Sequence, residues 1–273
     1  MSYGAAIEAQ GSLVALAARI SHKKKMPPAH RGIVTVFSRG SRRRLIKKMR
    51  RLAQGVEKAF FVTLTYPERF PDGTIAKQHQ RALMERIRRL HPEASAIWRI
   101  EYQKRGAPHF HHIWFNLPYI PQQMLRDMWS EIIAEYITDQ KPFVRIEMVR
   151  SRRGIMYYVG KYVAKMGHEE DHEMHEGQDK QGLFNSVSYL HAGRWWGIHN
   201  QAALPWGIKI KIVFTAIDHR QFMAAKRILA REYAKVDMGD ANGATVFTEL
   251  AYIVLREMET ELRQCQKQMF ICG

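Results

Sequence analysis

Hydrophobic and polar positions fall into a regular pattern only from residue 59 onward. Residues 59–65 are continuously apolar and rich in β-formers, which predicts a buried strand. Over 77–90, Leu83, Ile87 and Leu90 share one helical face. Residues 97–103 and 109–115 read as two strands joined by a turn at Arg105-Gly106-Ala107-Pro108. An amphipathic helix follows over 121–137, with Pro121 suited to its first turn. Val144, Ile146 and Met148 then alternate as in a strand, and 154–165 is helical again. The order β-α-β-β-α-β-α matches, in its first six elements, a split β-α-β arrangement. The expected class is α+β, with an antiparallel sheet of ferredoxin-like type whose first and third strands lie side by side at the centre.

The flanks are less regular and are expected to be helical extensions of that core. Residues 13–20 read as a short helix, followed by a basic run and the Pro27-Pro28 break. Residues 41–52 read as a helix carrying Arg42, Arg43, Arg44, Lys47, Lys48, Arg50 and Arg51 nearly all round it. Such a helix is either a solvated surface or one that tracks phosphates. After 168 the pattern predicts a polar loop, an aromatic knot at 193–197, a strand at 208–214 and helices at 220–234 and 247–269. The expected divisions are therefore a basic arm (1–57), a core (58–168) and a C-terminal extension (169–273).

Charge sharpens this picture. Lys and Arg outnumber Asp and Glu 43 to 26, a formal charge of +17 that favours a polyanionic partner, most simply nucleic acid. Hydrophobic residues make up 46% of the chain, enough to argue against disorder. The two cysteines, Cys265 and Cys272, supply neither a disulfide framework nor a Cys-based zinc site, so a reducing cytoplasm is expected. Residues 1–20 suit neither a signal peptide nor a membrane span, and no membrane partner is expected.

Two groups of residues carry candidate chemistry. In a strand over 109–115, His109 and His111 share one face and His112 takes the other. Two imidazoles so placed either bind one ion or are satisfied polar residues. Glu101, on the preceding strand, can supply a carboxylate to the same ion, leaving positions open for phosphate oxygens and water. That donor set suits Mg²⁺ or Mn²⁺. On a helix over 154–165, Tyr158, Lys161, Tyr162 and Lys165 form one polar stripe. Two tyrosines in such a helix either pack edge-on or act as nucleophiles, for which adjacent lysines favour the phenolate. His168, His172 and His175 form a further cluster that reads as a solvated loop.

Three stretches appear in a telling order: Phe61-Val62-Thr63-Leu64-Thr65-Tyr66-Pro67, then Gly106-Ala107-Pro108-His109-Phe110-His111, then Tyr158-Val159-Gly160-Lys161-Tyr162-Val163-Ala164-Lys165. Over about residues 59–166 the chain resembles the HUH endonucleases, specifically the rolling-circle replication initiators of single-stranded DNA phages and plasmids. That resemblance implies His109, His111 and Glu101 as ligands of Mg²⁺ or Mn²⁺, with Tyr158 and Tyr162 as nucleophiles assisted by Lys161. It implies site-specific nicking of single-stranded or hairpin origin DNA in a bacterial host cytoplasm, through a 5′-phosphotyrosine that is later religated by strand transfer. Between Gly154 and Lys161 the glycines are one residue too far apart for a phosphate loop, and Tyr162 stands where Ser or Thr is needed. Strand separation and synthesis would then fall to a host helicase and polymerase. A two-tyrosine transposase of the same chemistry and a non-catalytic nucleic-acid-binding module are the rival readings.

Overall fold

A computed structural model describes residues 3–10, 13–19, 37–56, 58–151, 153–155, 157, 193–217, 219–232, 243–247 and 251–271. These fall into two compact units. One comprises Met1–Ala29, Lys47–Gly55 and Trp206–Gly273, the other His30–Ile46 and Val56–Pro205.

The second unit holds the regular core. Its strands are β3 (Ala59–Thr65), β4 (Ser95–Tyr102), β5 (Pro108–Phe115), β6 (Val144–Val149) and β7 (Trp196–His199). Its helices are α2 (Gly73–Leu90) and α3 (Gln122–Ile132). The sheet order is β6-β3-β5-β4-β7 and every pairing is antiparallel. The first and third strands of the core are thus neighbours at the centre, an order compatible with a ferredoxin-like fold.

One face of this sheet is covered by the helices. Phe60, Val62, Leu64, Ile100, Phe110 and Trp114 pack there with Leu83, Met84 and Ile87 of α2 and Leu125, Met128 and Trp129 of α3. Asp72 caps α2, its carboxylate accepting from the Thr74 and Ile75 amides at 2.6 and 3.0 Å. Trp129 Nε1 donates to the Thr65 carbonyl at 3.0 Å, tying α3 to the end of β3. Pro121 occupies the N-cap of α3 rather than its first turn, and residues beyond Ile132 tighten into a 3₁₀ turn at Ala134–Tyr136. The β4–β5 turn closes as expected, with Gly106 at φ 82°, a backbone region that glycine enters without strain.

The aromatic knot read at 193–197 contains an edge strand, since Gly197 lies opposite Trp98 and Trp196 opposite Arg99. A Cβ on Gly197 would come within 2.6 Å of Trp98 Cζ2. Gly197→Ala is therefore expected to cost about 1–3 kcal/mol through overpacking, read as a lower thermal midpoint.

The first unit corrects the helical reading of 13–20. β1 (Tyr3–Gln10) and β2 (Leu13–Arg19) are strands, joined by β8 (Lys209–Ile217) and β9 (Gly243–Phe247) in the order β8-β1-β2-β9. Alanine gives 13–19 a helical character, but Val14 and Leu16 are buried opposite Ala9 and Ile7 as strand alternation requires. Two helices pack on this sheet, α4 (His219–Glu232) and α5 (Ala251–Ile271). Ala251, Val254, Leu255, Met258 and Leu262 form the buried stripe of α5. The helix expected from 247 thus begins at Ala251, because Phe247 ends β9 opposite Leu13. The basic helix is α1 (Arg39–Arg50), and the division between the units falls within it.

Candidate functional site

The face of the β3–β7 sheet turned away from α2 and α3 carries the polar residues, and strand register sets them in rows. Thr65 of β3, His109 of β5 and Glu101 of β4 lie opposite one another, as do Thr63, His111 and Arg99 in the next row. Alternation puts all six on one side, while Leu64, Phe110 and Ile100 go to the core.

Distances within the rows are short. The His109 and His111 rings are 4.4 Å apart between centroids. Glu101 Oε2 lies 3.3 Å from His111 Nε2, and Glu101 Oε1 accepts from the Arg99 guanidinium at 2.9 Å. Thr63 Oγ1 is 3.4 Å from His111 Nδ1, and Phe61 stacks on the same ring at 5.5 Å. These partners fit the His111 tautomer that carries its proton on Nε2, with the Thr63 hydroxyl donating to Nδ1.

Electrostatics leave the carboxyl ionised and the first imidazole neutral. Burial would raise the Glu101 carboxyl, but the His111 hydrogen bond and the nearby Arg99, His111 and His109 outweigh it and hold the group at about 2. Burial, with His111 and Arg105, pushes His109 down to about 3 against the opposing pull of Glu101. His109 Nδ1 is buried without a hydrogen-bond partner among the described residues. A neutral imidazole and an ionised carboxylate are the protonation states that a divalent cation requires. They do not form a ready-made cage: no group of three or more His, Cys, Asp and Glu side chains among the described residues is disposed to hold a metal ion. In this arrangement Glu101 is engaged with Arg99 and His111 instead.

His112 points the other way, as expected. It is fully buried, and Gln80 Nε2 of α2 donates to its Nε2 at 2.9 Å. Burial first, then His111 and His199, pushes its pKa down to about 3. An unfolded histidine takes up its proton near 6.5. Stability present above that pH is therefore lost as pH falls from 6.5 toward 3, because only the unfolded chain binds the proton in that window. Replacing both partners, His112→Leu with Gln80→Leu, is expected to leave stability at pH 7 nearly unchanged and to flatten the acid limb of a melting-point-versus-pH curve.

Residues 59–167 match the family model of the replication-associated protein of ORF2 type. The match begins at the first residue of β3, takes in both histidine rows, and points to a replication-associated function, consistent with a rolling-circle Rep-like protein. No curated protein matches the chain.

The remaining expected site residues are placed unevenly around this matched segment. Arg42, Arg43, Arg44, Lys47 and Lys48 lie on α1, the first three in the unit that holds the rows. Trp196 Nε1 of β7 donates to Ser41 Oγ at 3.0 Å, which ties the start of α1 to the sheet beside Arg99. The Arg99 guanidinium, only 5% exposed, also lies 4.7 Å from the centre of the Phe37 ring. Tyr158, Lys161, Tyr162 and Lys165 lie outside the described residues, as do His168, His172 and His175. Tyr157, the nearest described tyrosine, is helical and 66% exposed. Trp195 packs on the helical core with its ring 5.6 Å from that of Tyr102, so in this half of the knot the buried reading holds over a free stacking surface.

Arg99, Thr63 and Phe37 were not anticipated. Arg99 stands two residues before Glu101 and Thr63 two before Thr65, so period-two alternation alone puts each on the site face. Nothing local in the sequence signals Phe37. No described helix is long and apolar enough to cross a membrane.

Proposed function

We propose that this chain is a metal-dependent enzyme of the HUH type that nicks single-stranded origin DNA and transfers the strand, acting as a replication initiator. The observation that carries the proposal is the placement of His109, His111 and Glu101 on one face of adjacent central strands, away from the helices and inside the segment matching a replication-associated family. His109, His111 and Glu101 would hold Mg²⁺ or Mn²⁺. When bound, the ion supplies Lewis-acid polarisation of the scissile phosphate.

The chain's own residues perform the rest. Tyr158 or Tyr162 gives up its phenolic proton, with Lys161 favouring the phenolate, and its oxygen attacks phosphorus. The bond from phosphorus to the 3′ oxygen breaks, and that oxygen leaves as a hydroxyl after taking up a proton. The 5′ phosphate stays on the tyrosine. One phosphoester is exchanged for another, so no ATP is consumed, and attack by a 3′ hydroxyl reverses the step and closes a strand. The second tyrosine allows a second cut without hydrolysis of the first linkage. Arg42, Arg43, Arg44, Lys47, Lys48 and Lys165 contribute positive charge for the phosphates, and the freed 3′ hydroxyl primes a host polymerase behind a host helicase.

Nicking of single-stranded replicon DNA tests this reading. With Mn²⁺, a slow-migrating protein–DNA species on a denaturing gel and a 3′ end that a polymerase extends are expected together, and EDTA should abolish both. Cleavage that persists in EDTA would contradict the proposal.

A further inference from the structure

The row through His109 continues past β3 to the far edge of the sheet. Phe143 stands directly before β6, and its carbonyl accepts from both the Thr65 amide, at 3.0 Å, and the Thr65 hydroxyl, at 2.8 Å. Val144 pairs with Leu64 and is buried in the helical core, so alternation turns Phe143 to the side of Thr65, His109 and Glu101. Two residues on, Arg145 lies opposite Thr63 and ends the row of His111 and Arg99.

The two ends of these rows differ. Toward β7, Arg99 is buried beside Phe37, and Trp196 is bonded to Ser41. Toward β6, the intervening Thr63 and Thr65 are short and buried, while Phe143 is 55% exposed and the Arg145 side chain 57% exposed beside Glu147. Phe143 lies two strands from His109, about 10 Å at ordinary strand spacing. Neighbouring or next-neighbouring nucleotides of an extended strand span that separation.

We infer that Phe143 is a stacking platform for a base of unpaired DNA lying across β3 from the histidine rows, with Arg145 on the adjoining phosphate. The inference rests on the nuclease reading for its choice of ligand. An aromatic face accepts any base, and a guanidinium matches phosphate geometry. The Phe143 backbone is held by its two bonds from Thr65, so little freedom is lost when a base settles on the ring. The chain's charge of +17 selects a polyanion over an apolar peptide as the occupant. Stacking tolerates any sequence, so this platform fixes where the strand lies, and recognition of particular bases is left to other contacts.

The test measures binding of the full chain to a fluorescently labelled random-sequence single-stranded oligonucleotide, in EDTA to prevent cleavage. Phe143→Ala should weaken binding by about 5- to 100-fold, and Phe143→Trp should restore it. Affinity for a duplex of the same length should be unchanged by either. Arg145→Gln should lower the slope of log affinity against log salt by about 0.7, and Phe143→Ala should leave that slope alone. Wild-type affinity in Phe143→Ala would overturn the platform, whatever the protein does to DNA. A platform that behaves as stated in a protein giving no metal-dependent adduct would sink the nuclease reading and leave the stacking role standing.

Discussion

Replacing Tyr158 and Tyr162 together by phenylalanine should abolish covalent capture of DNA while leaving its binding intact. Each change removes one hydroxyl and keeps the ring, so packing and the basic surface are preserved. What disappears is the nucleophile, and losing it is expected to slow strand cleavage by at least about 10³-fold. The single variants should differ from the double. With residues four apart on a helix the two phenols are neighbours, so either can reach a phosphate held at one place. Tyr158→Phe and Tyr162→Phe should each retain a first cut, and each should lose the coupled second cut that releases a closed circle. A gel of covalent species beside a circle-formation assay reads both. Capture that survives in the double variant would move the nucleophile elsewhere, with the exposed Tyr157 the first to examine.

His109→Ala or His111→Ala should remove the metal response, and His112→Ala should not. The first two imidazoles face Glu101 across the β4–β5 ladder, and the third faces Gln80 in the helical core. Lewis-acid assistance to a phosphoryl centre contributes several kcal/mol, so losing either ligand is expected to lower cleavage by about 10²- to 10³-fold. Raising Mn²⁺ should recover part of the activity if the remaining donors still bind. His112→Ala leaves a void and an unsatisfied Gln80, with an expected cost of about 2–4 kcal/mol in stability. Below its lowered melting point it should nick at close to the wild-type rate. Adjacent residues in one short stretch thus separate into two phenotypes, read by activity at fixed metal and by thermal melting. If His112→Ala lost activity without losing stability, the assignment of faces would be wrong.

That separation was legible in the sequence because a strand has a period of two, and 109–115 keeps it without a break. The same logic recovers the core order, since each element from 59 to 149 carries its own periodic signal and pairs with partners nearby in the chain. The first unit offers no such help. β1 pairs with β8, about two hundred positions away, and β2 with β9, so the apolar residues of 3–19 have no partner in view until the C-terminal third is placed. Alanine-rich strands then pass for a helix. β7 is only four residues long and holds a place at the sheet edge by pairing with β4, an interaction that no local pattern encodes. Around the site, Glu101 was visible from the hairpin, whereas the Phe37 ring beside Arg99 comes from a distant segment and carries no periodicity to announce it. Phe143 lay just outside the recognised alternation of Val144, Ile146 and Met148, and its exposure became apparent only when Thr65 was seen to bond its carbonyl.

The central claim is that a tyrosine of the 158–162 stripe becomes joined to DNA when a divalent ion sits at the histidine rows. Peptide mass spectrometry of the protein incubated with single-stranded replicon DNA and Mn²⁺, after nuclease trimming, addresses it most directly. The account predicts a nucleotide 5′-phosphate attached to Tyr158 or Tyr162, lost on adding EDTA and lost in His109→Ala. An adduct on another residue, or tight binding with no adduct on any strand tested, would contradict it.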